Sequence, residues 1–164
     1  MNLSVPVGVF GLVLSVAPAW AGDFSAEVDF VTRAANGNVF AVAESRLAVD
    51  RARAPQVKTF ARRLIEDHGR AEAELRAAAE GSGATVPTTL DQDHQARLTA
   101  LRRKSGIEFD KAYIADQLEV HSNALTLYGD YMLWGDYERL HVLAIKMIPT
   151  TEAQLKDVQA LGGD

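Results

Sequence analysis

Apolar residues recur every three or four positions through four long segments, and this spacing constrains the fold more than any other feature of the chain. The segments cover residues 24–53, 55–80, 107–134 and 136–161, and a shorter, more polar one covers 90–104. This is the period of an amphipathic helix, and no stretch alternates as a half-buried strand does. We therefore predict an all-α fold, a four-helix bundle with one additional short helix between the second and third long helices.

The residues between these segments are typical of helix ends. Pro55 ends the first helix and suits the first turn of the second. The loop GSGATVPTT follows the second helix, and Gly106 separates the short helix from the next one. Gly135 ends the third long helix, and Asp136 is the predicted N-cap of the last. Pro149 lies within that last helix and predicts a kink.

The first 21 residues have the features of a secretory signal peptide. No charged side chain precedes Asp23, and Ala19-Trp20-Ala21 is a small-x-small cleavage signature. The rival interpretation is an uncleaved N-terminal anchor, but Pro18 and earlier breakers leave an apolar run shorter than the about 20 residues of a membrane span. We predict cleavage after Ala21, a single helical domain over residues 22–164, and an exported, periplasmic protein.

Composition excludes several function classes. The net charge of -5 and the lack of a basic stripe give no reason to expect nucleic acid or an anionic lipid surface as a partner. The chain has no cysteine, which excludes disulfides, thiolate catalysis and Cys-ligated metals. No later segment is apolar enough to span a membrane. A protein partner in the envelope and the oligomeric state both stay open.

Three ligand-type side chains lie on the apolar faces of three different predicted helices. Glu44, His68 and His121 each have apolar neighbours three and four residues away. A carboxylate in such a place is costly unless it is paired or bound. With a rise of about 1.5 Å per residue, the three positions fall near one central layer of the bundle. In the last helix, Gln154 lies about a turn from that layer.

Other chemistry is not expected. Neither His68 nor His121 has a Glu three residues before it, so the paired Glu-x-x-His motifs of a dinuclear carboxylate site are absent. His141 follows Glu138 at that spacing but lies in the first turns of the last helix. His94 lies on the polar helix and is interpreted as solvated. We find no phosphate loop or nucleophile elbow, and an enzyme is not the favoured interpretation.

Four stretches resemble a bacterial envelope family, domain of unknown function 4142. They are FVTRAANGNVF, SRLAVDRARAPQVKTFARRLIEDHGRAEAEL, GIEFDKAYIADQLEVHSNALTLY and AIKMIPTTEAQL. The resemblance implies a ferritin-like fold and export, and it supplies no activity. The family's histidines of the second and fourth helices match His68 and His121. Its usual first-helix Glu falls at Ala41, three residues before Glu44, and its usual last-helix His falls at Gln154.

Two hypotheses follow. In the first, the bundle binds one divalent transition metal ion through Glu44, His68 and His121, and Gln154 or a water molecule completes the site. In the second, the protein is a non-enzymatic envelope or stress-related protein, and the same side chains form a buried hydrogen-bond network that fixes helix register. Convergence of the side chains to within metal-binding distance distinguishes the two.

Overall fold

The structure is a computed structural model that describes residues 23–163, so the predicted signal peptide lies outside the described residues. It contains five helices: α1 (Asp23–Arg51), α2 (Pro55–Ala79), α3 (Gln92–Arg102), α4 (Gly106–Trp134) and α5 (Glu138–Gly162). Residues 23–163 form no strand. The predicted all-α bundle of four long helices and one short helix is confirmed.

The four long helices form two hairpins. Helix α1 packs against α2 and α4, and α5 packs against the same two helices, so α1 and α5 lie diagonally opposite. Phe30 near the start of α1 contacts Tyr131 near the end of α4, with ring centroids 4.0 Å apart, so these helices are antiparallel. Residues 80–105, which include α3, form the long crossover between the hairpins, as in ferritin-like bundles.

Two helix starts depart from simple capping. The predicted N-cap Asp136 is wrong, because α5 is preceded by Tyr137, whose hydroxyl donates to the Glu80 carbonyl at 2.7 Å and holds the chain there. Helix α2 has no side-chain cap of its own. Instead Asp110 of α4 accepts the backbone N–H groups of Arg53 at 2.9 Å and Ala54 at 2.8 Å. A buried carboxylate at a helix N-terminus suits the exposed N–H groups and the helix dipole.

The apolar core is divided along the bundle axis. One cluster lies at the end where α1 begins and α4 ends, around Phe30, Leu75 and Leu140. Another lies toward the opposite end, around Leu64 and Phe109. The buried polar side chains between them come from the middle of the long helices: Asn38, Glu44, Gln117, His121, Thr151 and Gln154. The bundle therefore holds a polar layer between two apolar regions.

Helix α5 continues through Pro149 without a break in its assigned helical residues. Proline lacks a backbone N–H, so one carbonyl of the preceding turn loses its helical partner. The Thr151 hydroxyl donates to the Met147 carbonyl at 2.9 Å in this region. Among residues 23–163, no helix combines the length and apolarity needed to cross a membrane.

Candidate functional site

His68 and His121 meet in the middle of the bundle. Their ring centroids are 5.6 Å apart and the ring planes are inclined by 66°. The two residues come from α2 and α4, which belong to different hairpins. His121 is 1% exposed, and Phe60 lies on another side of its ring, with centroids 6.4 Å apart. The sequence pattern placed these two imidazoles in one layer, and the structure places them in contact.

Both imidazoles use the same nitrogen for a hydrogen bond within the protein. His121 Nδ1 lies 2.7 Å from the carbonyl oxygen of Gln117, one turn earlier in α4. His68 Nδ1 lies 2.9 Å from the side-chain oxygen Oδ1 of Asn38 in α1. A carbonyl oxygen only accepts, so each Nδ1 carries the proton and donates. In the neutral ring, Nε2 then keeps a free lone pair.

The two Nε2 atoms are buried and have no hydrogen-bond partner within the described part of the chain. Burial, and to a lesser extent the nearby His121, lowers the pKa of His68 to about 3. Burial also lowers the pKa of His121, although the hydrogen bond to the Gln117 carbonyl and the proximity of the Gln154 side chain act in the opposite direction. Both rings are therefore neutral near pH 7, and each offers an unused acceptor to the interior.

Glu44 reaches His121 through Gln117 rather than joining the histidine pair. The Gln117 side chain donates to Glu44 Oε2 at 2.9 Å, while its backbone carbonyl accepts from His121. Burial and the neighbouring Asp116, against the lowering effect of Gln117, raise the pKa of Glu44 to about 9. Glu44 is thus a neutral acid at pH 7, and a carboxyl group must lose its proton to bind a metal.

Gln154 approaches the pair from α5. It is 6% exposed, and its side-chain nitrogen donates to Asp67 Oδ2 at 3.2 Å. This bond leaves the amide oxygen of Gln154 free, and the side chain is close enough to His121 to affect its pKa. Asp67 is also paired with Arg70, so it holds the Gln154 amide from a position at the edge of the site.

The side chains around the two histidines offer few ligands to a metal ion. Among the residues that the structure describes, no three His, Asp or Glu side chains lie close enough to hold an ion together. The main ligands available to a metal ion are therefore the two imidazole nitrogens, and the Gln154 amide oxygen lies next to them. An ion about 2 Å from one nitrogen of each ring keeps the two ring centroids about 5 to 6 Å apart. The observed 5.6 Å lies in that range.

A cavity of about 320 Å³ leads from the surface to the two histidines. Its buried part includes His121 and Thr151, and its outer part includes the exposed residues Arg33 and Asn123. The cavity passes Gly37 of α1, where a Cβ atom would have no neighbour within 4 Å. The absence of a side chain at this position keeps the space between α1 and α4 open.

His94 lies at this cavity, contrary to its interpretation as a solvated residue of the polar helix. Its side chain is 20% exposed, and its ring packs on Phe40 with centroids 4.6 Å apart. Its Nδ1 lies 2.8 Å from Asp91 Oδ2, and it lines the same cavity as His68 and His121. His94 precedes the buried Leu98 and Leu101 at helical spacing, so it lies on the face of α3 that packs on the bundle, where Phe40 offers an apolar surface for the imidazole.

Sequence reasoning did not select Asn38. This residue is 5% exposed and accepts the hydrogen bond that fixes the ring of His68. Asn38 lies four residues after Ala34 and three before Ala41, so the helical spacing alone puts it on the core face. The sequence signal that could have identified Asn38 was a polar residue among small residues on the core face of the helix.

Comparison with known proteins gives one family and one structural likeness. The profile of the family described as "Domain of unknown function (DUF4142)" matches residues 16–161. The chain is similar to the solved structure "CopM in the Cu(II)-bound form", with 20% sequence identity, a TM-score of 0.67, and coverage of 84% of this chain and 95% of that chain.

It is similar to the same extent to "CopM in the Ag-bound form (by co-crystallization)", with 20% identity, a TM-score of 0.65, and coverage of 82% of this chain and 93% of that chain. At this level of identity the likeness shows a shared helical fold. None of the curated proteins compared with the chain matches it.

Proposed function

The chain belongs to the DUF4142 family, and we propose that it is an exported protein that binds one copper ion, or an ion of similar chemistry, between His68 and His121. Gln154 offers its amide oxygen as a weaker third ligand. Glu44 acts at a distance, because it positions Gln117, whose carbonyl in turn orients His121. The proposal concerns binding and release of an ion, without a catalysed reaction.

One observation carries the proposal. Buried His121 and half-buried His68 each donate through Nδ1 to a carbonyl oxygen, which leaves the lone pairs of two buried Nε2 atoms unused, in rings whose centroids are 5.6 Å apart. Histidines that bind metals usually have this arrangement, because a hydrogen bond at the second nitrogen fixes the ring and its tautomer. Buried polar atoms in folded proteins normally have a partner. A metal ion would supply that partner for both rings at once.

The alternative of a purely structural hydrogen-bond network accounts for other residues of the layer. Gln117 donates to Glu44, and the Ser45 and Tyr113 hydroxyls bond to each other at 2.8 Å. The Ser45–Tyr113 pair is complete without a ligand, whereas Glu44 Oε1 and the Gln117 side-chain oxygen have no donor among the described residues. The network does not account for the histidine pair, whose Nε2 atoms would only lose solvation on burial.

The donor set favours copper over zinc and magnesium. Imidazole nitrogen suits copper, and Cu²⁺ has the highest affinity among the first-row divalent ions for a given site. Structural zinc sites usually have four protein ligands, more than this pair supplies. Magnesium prefers oxygen ligands. The two solved CopM structures that share this fold are a Cu(II)-bound and an Ag-bound form, which supports the same choice.

Thermal unfolding of the chain without a His tag tests the proposal. At a free Cu²⁺ or Ag⁺ concentration of 100 times Kd, binding to the native state should add about 2.7 kcal/mol to the free energy of unfolding. We expect a rise in Tm at pH 7.5 with these ions and none with Mg²⁺. His68→Gln and His121→Gln should each remove the rise.

His141→Gln is the matched control, because His141 bonds to the Met132 carbonyl at 2.8 Å and does not line the cavity. This variant should keep the full rise in Tm. The proposal is overturned if the wild-type Tm does not change with any of these ions, or if all three histidine variants lose the response equally.

A further inference from the structure

Asp91 fixes the position of His94 at the outer part of the cavity. Asp91 is the N-cap of α3, and its Oδ1 accepts the backbone N–H of His94 at 2.8 Å. Its other oxygen, Oδ2, lies 2.8 Å from Nδ1 of the same residue. One carboxylate therefore holds both the backbone and the ring of His94, and Phe40 supports the ring from one side.

This arrangement leaves the lone pair of His94 Nε2 available to bind a cation. A carboxylate only accepts hydrogen bonds, so the Nδ1 proton of His94 points to Asp91 and the lone pair of the neutral ring is on Nε2. Carboxylate-bonded histidines of this kind are common at metal sites, since the carboxylate raises the basicity of the ring. The cavity thus has a third imidazole, that of His94, with the same tautomer as those of His68 and His121.

His94 cannot share an ion with the inner pair in this structure. No three His, Asp or Glu side chains of the described residues are close enough to hold one metal. The cavity nevertheless connects His94 with both His68 and His121. His94 and the His68–His121 pair are therefore two separate positions in the same cavity.

The charges around the outer position suit a cation. Asp91 adds a carboxylate, while both arginines that line the cavity are paired. Arg33 lies 3.3 Å from Asp29. Arg97 lies 2.8 Å from Asp116 and 2.9 Å from Glu119. The positive charge at the cavity is therefore compensated, and the approach of a metal cation is not opposed by a free arginine.

From this geometry we propose that His94, oriented by Asp91, is a capture ligand: it takes the metal ion from solvent at the outer part of the cavity and passes it to the His68–His121 pair. The inference rests on the proposed function. A residue that acts only on the path changes the rates of binding and release by the same factor, because both directions cross the same barrier. The equilibrium affinity stays unchanged.

Stopped-flow measurement of Cu²⁺ binding and release tests this assignment. In His94→Gln, whose amide can still donate to Asp91, kon and koff should both fall by about tenfold or more, while Kd stays within twofold of the wild type. The Tm of the metal-free variant shows whether the fold is kept. His141→Gln should leave both rates unchanged.

Gly37→Leu gives an independent variant that touches no ligand. The new side chain would enter the open space at Gly37, and leucine is a better helix former than glycine. It should slow binding and release together, as His94→Gln does.

The outcomes separate the two proposals. If the wild type binds no Cu²⁺, the proposed function fails, and the capture role fails with it. If the wild type binds but His94→Gln has unchanged rates, only the capture role is overturned. A higher Kd in His94→Gln would also overturn it, because His94 would then contact the ion in its final position.

Discussion

Replacement of Glu44 by Gln should stabilise the metal-free protein at neutral pH. Glu44 is fully buried, and Gln117 donates to its Oε2. The other carboxyl oxygen, Oε1, and the Gln117 side-chain oxygen are both buried acceptors without a donor. Protonation removes the charge of this buried carboxyl group, and burial, followed by the nearby Asp116, raises the pKa of Glu44. The amide of a glutamine carries its own donor and needs no proton from solvent.

The size of the effect follows from the pKa of Glu44, which rises from 4.5 to about 9 on folding. Between these values the folded state binds more protons than the unfolded state, so stability falls as pH rises, by about 1.4 kcal/mol per pH unit. At pH 7 the wild type has therefore lost about 3 kcal/mol of its low-pH stability through this one group. Glu44→Gln removes the loss and should raise Tm by roughly 6 to 12 °C.

Urea denaturation of both proteins at pH 5 and pH 7, with a chelator present, measures this effect. The difference in unfolding free energy between Glu44→Gln and wild type should be below about 1 kcal/mol at pH 5 and should grow to about 3 kcal/mol at pH 7. Other titrating groups contribute equally to both proteins and cancel in the difference. A difference that is the same at both pH values would refute the assignment of a neutral buried Glu44.

Three further substitutions test other contacts. Asn38→Ala removes the acceptor of His68 Nδ1 and should weaken Cu²⁺ binding by about 10- to 100-fold in chelator competition, although no ligand is lost. Asp110→Ala removes the acceptor of two N–H groups at the start of α2 and should cost about 1–2 kcal/mol in urea denaturation, whereas Asp110→Asn should cost less. Ser45→Ala leaves the buried Tyr113 hydroxyl unpaired and should cost about 1–3 kcal/mol, and adding Tyr113→Phe should recover part of this loss.

The helices could be predicted because their signals are local. The apolar spacing, Pro55 and Gly135 act within a few residues of each helix end, and the helix bounds agree closely with the structure. Gly106 is a further example, since its φ of 57° is a conformation that glycine adopts readily at the start of α4. The prediction of Asp136 as the N-cap of α5 was wrong because Tyr137, which precedes the helix, is held by the carbonyl of Glu80, far away in sequence.

The site was harder to predict, because it depends on how the helices are rotated against each other. Spacing along each helix predicted Glu44, His68 and His121 near one layer, with Gln154 about a turn away. It could not show that Glu44 would face Gln117 instead of the histidine pair. The role of His94 depends on a contact of its ring with Phe40, which belongs to a different helix. Such contacts have no signature in either segment alone.

Helix α3 buries only two of its described side chains, Leu98 and Leu101. Detaching α3 exposes these two leucines and also Phe40, which shares a buried cluster with Leu98, so it costs about 4.5 to 9 kcal/mol, within or below the range for unfolding a whole domain. Helix α3 should therefore detach as a local unit while the four long helices stay folded, in fewer than about one molecule in a thousand at any time. Amide protons of α3 should exchange with deuterium earlier than those of α4. Because Asp91 and His94 belong to this unit, the proposed capture ligand would be in place only while the shortest helix is docked on the bundle.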